Sequence, residues 1–96
     1  MAKLEAKREY PSKTAEECYR AGLMTMQQSD YQIIKKRDIA SLVIGEGKLD
    51  GQTINATIVV PFGSPVSVLL TLEGDVSLET LRSEADRLYL LLEEEI

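Results

Sequence analysis

The sequence predicts a two-layer α+β sandwich in the order β-α-β-β-β-β-α, an antiparallel sheet with two helices on one face. Three observations carry this. Five stretches alternate apolar and polar residues at period two, two carry apolar residues at helical spacing behind good N-caps, and the links between them are short. With 96 residues the chain reads as one domain, residues 1–96. A chain of this size exposes about 5,500 Å² when folded against about 15,500 Å² unfolded. That allows one core and little room for a large cavity.

The first strand covers residues 2–10. Leu4, Ala6 and Tyr10 share one parity, and Lys3, Glu5, Lys7 and Glu9 the other. Its charges suit a sheet edge, where they discourage pairing with another chain. Pro11 stops it. Thr14-Ala15-Glu16-Glu17 then reads as a capping box. The helix behind it runs to about Gln28, with Ala15, Cys18, Tyr19, Gly22 and Met26 on one face. Cys18 lies on that face as a buried, inert thiol, since Glu16 and Glu17 beside it disfavour a thiolate.

Four more strands follow, at Tyr31–Arg37, Ala40–Leu49, Gln52–Phe62 and Val66–Glu73. Asp50-Gly51 between alternating strands is a strong hairpin signal, so these four form an antiparallel meander. A three-residue loop at Gly63-Ser64-Pro65 pairs Ile58 with Leu70, Val60 with Val68 and Phe62 with Val66, all inward. A two-residue loop at Asp50-Gly51 would pair Val43 with Ile58 and turn Leu42 and Ile44 outward. To bring those two inward, a β-bulge is expected near Gly45-Glu46, and it makes Gly45-Glu46-Gly47 a strand kink rather than a phosphate cradle. The last helix runs from Leu78 to Glu95 with Ser77 as N-cap. Leu78, Leu81, Ala85, Leu88 and Leu92 form its inward stripe, while Arg82 with Asp86 and Glu84 with Arg87 support its outer side. The expected core contains Ile54, Ile58, Val60, Phe62, Val68, Leu70, Leu81, Leu88 and Leu92, packed without a cavity.

The opening strand, the turn Tyr10-Pro11-Ser12-Lys13-Thr14-Ala15-Glu16-Glu17, the meander and the long final helix resemble the helix-grip fold of START-like (SRPBCC) domains. In that superfamily a curved antiparallel sheet grips a long C-terminal helix. The resemblance covers nearly the whole chain as pattern. It implies a small apolar ligand held between sheet and helix, and it transfers no functional residue.

Composition excludes several function classes. There is no histidine, one cysteine and no tryptophan. The commonest general base and metal ligand are therefore absent, as are Ser-His and Cys-His pairs, and no zinc site can be built within one chain. No glycine-rich nucleotide motif occurs. Catalytic, metal and cofactor residues are accordingly none, and no enzyme activity is expected. The net charge is -5, which argues against nucleic acid. Residues 1–48 carry nine Lys/Arg and seven Asp/Glu, and residues 49–96 carry two and nine. The one basic cluster, Lys35-Lys36-Arg37, reads as a solvated hairpin tip or as a partner for the acidic Glu93-Glu94-Glu95. No apolar run is long enough for a bilayer, and MAKLEAKREY has no apolar signal-peptide core. The expected setting is cytoplasmic, with no membrane partner.

The remaining functional signal is the outer sheet face. With the expected bulge, Ile34, Val43, Val59 and Leu69 converge outward, bordered by Ser41, Thr57, Ser67 and Thr71. This predicts a non-enzymatic interaction module that associates with itself or a protein partner through that face. The alternative is a carrier of a small apolar ligand between the sheet and the final helix.

Overall fold

A computed structural model describes all 96 residues. The elements are β1 (Ala2–Glu9), α1 (Ala15–Gln28), β2 (Gln32–Arg37), β3 (Leu42–Leu49), β4 (Gln52–Val59), β5 (Ser67–Gly74) and α2 (Leu78–Glu95). The strands form one sheet in the order β1-β5-β4-β3-β2, antiparallel throughout. The chain is thus the predicted α+β fold with β4 as its central strand.

Local chemistry places the helices. The capping box is complete: the Glu17 amide donates to Thr14 Oγ1 at 3.1 Å, and the Thr14 amide donates to Glu17 Oε1 at 3.0 Å. Ser77 Oγ accepts from the Thr80 amide at 3.1 Å and starts α2. Cys18, Tyr19, Ala21 and Met26 of α1 are buried with Leu81, Ala85, Leu88, Tyr89 and Leu92 of α2 against one sheet face. Burial, and Glu17 after it, push the Cys18 thiol up and keep it protonated.

The Asp50-Gly51 turn is a two-residue hairpin with both residues at positive φ, 51° and 77°. It sets Leu49 opposite Gln52 and hence Val43 opposite Ile58, without a shift along β3. The bulge expected at Gly45-Glu46 is therefore absent. Turn geometry prevails over the larger aliphatics, so Val43, Gly45 and Gly47 face inward while Leu42 and Ile44 face out. The inward glycines answer a packing need rather than a kink. A Cβ on Gly45 would lie 2.8 Å from Met26 Sδ, and one on Gly47 would lie 2.9 Å from the Tyr31 ring. The irregularity sits in β2, where the register shifts between Ile33 and Lys35 and leaves Ile34 unpaired.

Other boundaries move as well. β3 begins at Leu42 because Asp38–Ser41 forms the turn, closed by the Ser41 amide on Asp38 O at 3.1 Å. The Tyr19 hydroxyl braces this turn, donating to Asp38 Oδ1 at 2.8 Å. β4 ends at Val59, ahead of Pro61, which has no amide to continue the ladder. Val60 stays buried, but Phe62 is 83% exposed and does not belong to the core. Ile58 pairs with Leu70, the register expected for this hairpin. Leu78 is exposed in the first turn of α2 and leaves the inward stripe to Leu81, Ala85, Leu88 and Leu92.

Two charged residues occupy inward positions that apolar periodicity does not mark. Glu84 is buried within α2 rather than on its outer side. It accepts from the Tyr31 hydroxyl at 2.7 Å and from Arg87 Nε and Nη2, each at 2.7 Å. Arg8 lies on the inward parity of β1, 4.5 Å from the centre of the Tyr89 ring. Its guanidinium donates to Glu93 at 3.1 Å and to Asp86 at 3.4 Å. Asp86 thus pairs with β1 and not with Arg82, and Glu93 is held by Arg8 and the Tyr10 hydroxyl, not by the Lys35–Arg37 cluster.

Candidate interaction face

Residues directly opposite across a ladder share a face. The outer face can therefore be read in rows. One row runs Arg37, Leu42, Val59, Leu69, Lys7 from β2 to β1. The next runs Lys35, Ile44, Thr57, Thr71, Glu5. Neither helix covers this face, because both stripes are spent on the other. The result is a patch of four aliphatics, Leu42, Ile44, Val59 and Leu69, with Thr57 and Thr71 beside them and charges at both ends. All six central residues are half-buried by their neighbours in the sheet.

Of the four residues expected to converge, the structure brings together Val59 and Leu69, which are directly paired. Val43 is a correction: it is 0% exposed and lies in the core opposite Ile58. Leu42 and Ile44 take its place, because the tight Asp50-Gly51 turn sets the parity of β3 opposite to the expected one. Ile34 is 53% exposed but sits at the bulge of the edge strand, outside the paired rows. The signal for Leu42 and Ile44 was present in the sequence. A strict two-residue Asp-Gly hairpin places both outward, and β3 carries no bulge that would turn them in.

Both edges of the sheet resist pairing with another chain. β1 exposes Lys3, Glu5, Lys7 and Glu9, and β2 is short, bulged and ends in Lys35-Lys36-Arg37. Lys36 pairs with Asp38 at 3.7 Å, while Lys35 and Arg37 flank the outer patch.

The centre of the interior is closely packed. The crevice bounded by Ile58, Val68, Leu70, Leu88, Tyr89 and Leu92 has no space for a water molecule. Every buried side-chain N or O atom has a hydrogen-bond partner. Burial raises the buried phenols: Tyr89 is pushed up to about 12, and Tyr19, with Asp38 accepting from it, also to about 12. Tyr31 moves up for the same reason, reinforced by Glu84.

A cleft of about 330 Å³ opens at the margin between β1 and α2, beside Leu4, Ala6, Ala85 and Tyr89, and two larger ones lie elsewhere. A polar cleft of about 480 Å³ runs beside Arg87, Gln28, Gln32, Lys48 and Thr53, with Asp30 and Glu46 balancing its cations. A groove of about 510 Å³ between α1 and the turns is flanked by Ile39, 92% exposed, and by Phe62. No group of three or more Cys, Asp or Glu side chains is placed to hold a metal ion. No helix is long and apolar enough to cross a membrane.

No family model matches the chain. No curated protein matches it. Among solved structures it is similar to the crystal structure of TTHA0849 from Thermus thermophilus, with a TM-score of 0.53 at 13% sequence identity, over 98% of this chain and 96% of that one. At that identity the likeness concerns the fold alone, and it accords with a sheet whose inner face is occupied by two helices.

Proposed function

We propose that this chain is a small non-enzymatic interaction module that associates with a second copy of itself through the outer sheet face. The observation that carries the reading is the row Leu42, Val59, Leu69, three aliphatics in direct register on the three central strands, with Ile44 diagonal to it. Aliphatics in register make a contiguous patch, which scattered surface residues do not. The blocked edges favour face-to-face contact over strand addition. The helix-grip resemblance belongs to the same reading, supported by α2 lying across the inner face. A ligand carrier finds less support, because the centre of the space between sheet and α2 is filled and the cleft of about 330 Å³ at its β1 margin is open and edged by Arg8, Arg82 and Asp86. A lone buried Cys18 makes no use of an oxidising compartment, so we place the protein in the cytoplasm.

Five strands of about eight residues present a face of about 500 Å², so two copies would bury about 1,000 Å². That is the lower bound for a specific interface, the size of weak and transient contacts. Sedimentation at high micromolar concentration tests the reading. The wild type should dimerise, and the association should persist at high salt because its centre is uncharged. Val59→Lys should give a folded monomer by placing an unpaired charge at the contact. A wild type that stays monomeric at that concentration overturns the proposal.

A further inference from the structure

We infer that the polar cleft beside Arg87 and Lys48 binds a small zwitterionic peptide, a dipeptide with a free ammonium and a free carboxylate. β2 begins at Gln32, opposite Glu46, whereas β3 runs on to Leu49. The last stretch of β3 therefore has β4 on one side and no strand on the other. Leu49 and Gln52 flank the two-residue Asp50-Gly51 turn as a hydrogen-bonded pair. The residues of β3 alternate from there. Gly47 bonds to β4, and Lys48 turns its N–H and C=O to the open side. No turn or loop backbone group pairs with them. This short free edge lies along the cleft of about 480 Å³.

The side chains around that edge carry both signs. Arg87 Nε and Nη2 are fixed on the buried Glu84 at 2.7 Å each, which leaves Nη1 free to donate. Lys48 is the second cation, and Asp30 and Glu46 are the anions. Asp30, Glu46 and Lys48 make no ion pair within the chain. No apolar side chain lines the cleft. A simple anion gains Arg87 and Lys48 but faces Asp30 and Glu46, and a simple cation meets the reverse. A zwitterion uses both pairs. The Lys48 edge adds the preference for a peptide. The second residue of a dipeptide can pair with Lys48 as a strand residue does: its N–H donates to the Lys48 carbonyl, and its carboxylate accepts from the Lys48 amide. The carboxylate then meets the cations, and the ammonium one residue back meets the anions.

The test titrates alanylalanine into the isotope-labelled protein and follows the backbone amides by NMR. The signals of Asp30, Gly47 and Lys48 should move together, with a Kd of about 1–10 mM for so small a ligand in an open cleft. Blocking the ammonium by acetylation, or the carboxylate by amidation, should each weaken binding about fivefold or more, because each removes a charge-assisted contact. Asp30→Asn keeps the left-handed φ of 63° at that position, which asparagine also accepts. It should weaken alanylalanine about threefold and leave the acetylated peptide unchanged. Lys48→Gln should do the same for the carboxylate, weakening alanylalanine and leaving the amidated peptide unchanged. Arg87 is left in place because it also holds Glu84. The blocked peptides carry the test even if a variant disturbs its turn. If they bind as well as alanylalanine, or if sodium acetate moves the same signals at the same concentration, the cleft does not select a zwitterion and the inference is wrong. No movement at about 50 mM alanylalanine also overturns it. Either result leaves the outer-face reading as it stands, since that face is tested by sedimentation.

Discussion

Replacing Arg87 by methionine should destabilise the protein by about 2–4 kcal/mol, although Arg87 stands at the surface. The Glu84 side chain is 4% exposed and the Arg87 side chain 47%. Three donors saturate the Glu84 carboxylate, two of them from the Arg87 guanidinium in a bidentate fork at 2.7 Å. Methionine keeps the apolar stem and removes both donors, leaving a buried anion with Tyr31 alone. Breaking a fully buried pair costs about 3–5 kcal/mol. Here water can reach the vacated side where Arg87 was exposed, which lowers the figure to about 2–4 kcal/mol. For a domain of this size the melting temperature should fall by about 10–25 °C. Urea unfolding at neutral pH, followed by far-UV circular dichroism, gives the number. The double variant Glu84→Met with Arg87→Met should recover much of the loss, because an apolar pair needs no partner and only the Tyr31 hydroxyl is left to be satisfied. A single variant within about 0.5 kcal/mol of wild type, or a double variant worse than the single, would refute the claim that the ion pair offsets the burial of Glu84.

Two further outcomes follow from the same packing. The phenols of Tyr19 and Tyr89 are pushed up to about 12 by burial, and Tyr31 is also raised, against about 10 in an unfolded chain. Folded values above unfolded ones mean a stability contribution that is complete below about pH 10 and lost as pH rises through about 12. With solvent screening allowed for, the loss at about pH 11 is about 1 kcal/mol per tyrosine. Tyrosinate absorbance and circular dichroism should therefore change together in one alkaline transition. Independent titration near pH 10 with the fold intact would count against it. Gly47→Ala should cost about 1–3 kcal/mol in a thermal melt, since its Cβ would meet the Tyr31 ring at 2.9 Å, and Gly47→Ala with Tyr31→Leu should recover part of that. An unchanged melting temperature for the single variant would show that the ring moves aside freely.

Much of the architecture was written locally. The Thr14 to Glu17 capping box, the Ser77 cap, the alternation of β1 and β4 and the Asp50-Gly51 turn each act over a few residues, so element order, the four-strand meander and the inward faces of β4 and β5 were legible in the chain itself, whereas the pairing of β1 with β5 was not. Residues whose orientation depends on distant partners were not. The parity of β3 turned on whether a glycine-containing strand bulges: the tight Asp50-Gly51 turn sets it, and the Met26 and Tyr31 side chains packed against Gly45 and Gly47 hold it. That choice moved Val43 into the core and Leu42 and Ile44 onto the candidate face. Phe62 has the parity of a core residue, yet Pro61 ends its strand first. Glu84 reads as a surface charge because hydropathy marks it polar, and hydropathy gives no reason to expect Arg8 inward. Their inward positions are tolerated because Tyr31 with Arg87, and Glu93 with Asp86, come from far along the chain to neutralise them. Sequence determines what short-range geometry and periodicity can enforce. Tertiary structure decides the face of a strand and the burial of a charge, because both depend on what is packed against them.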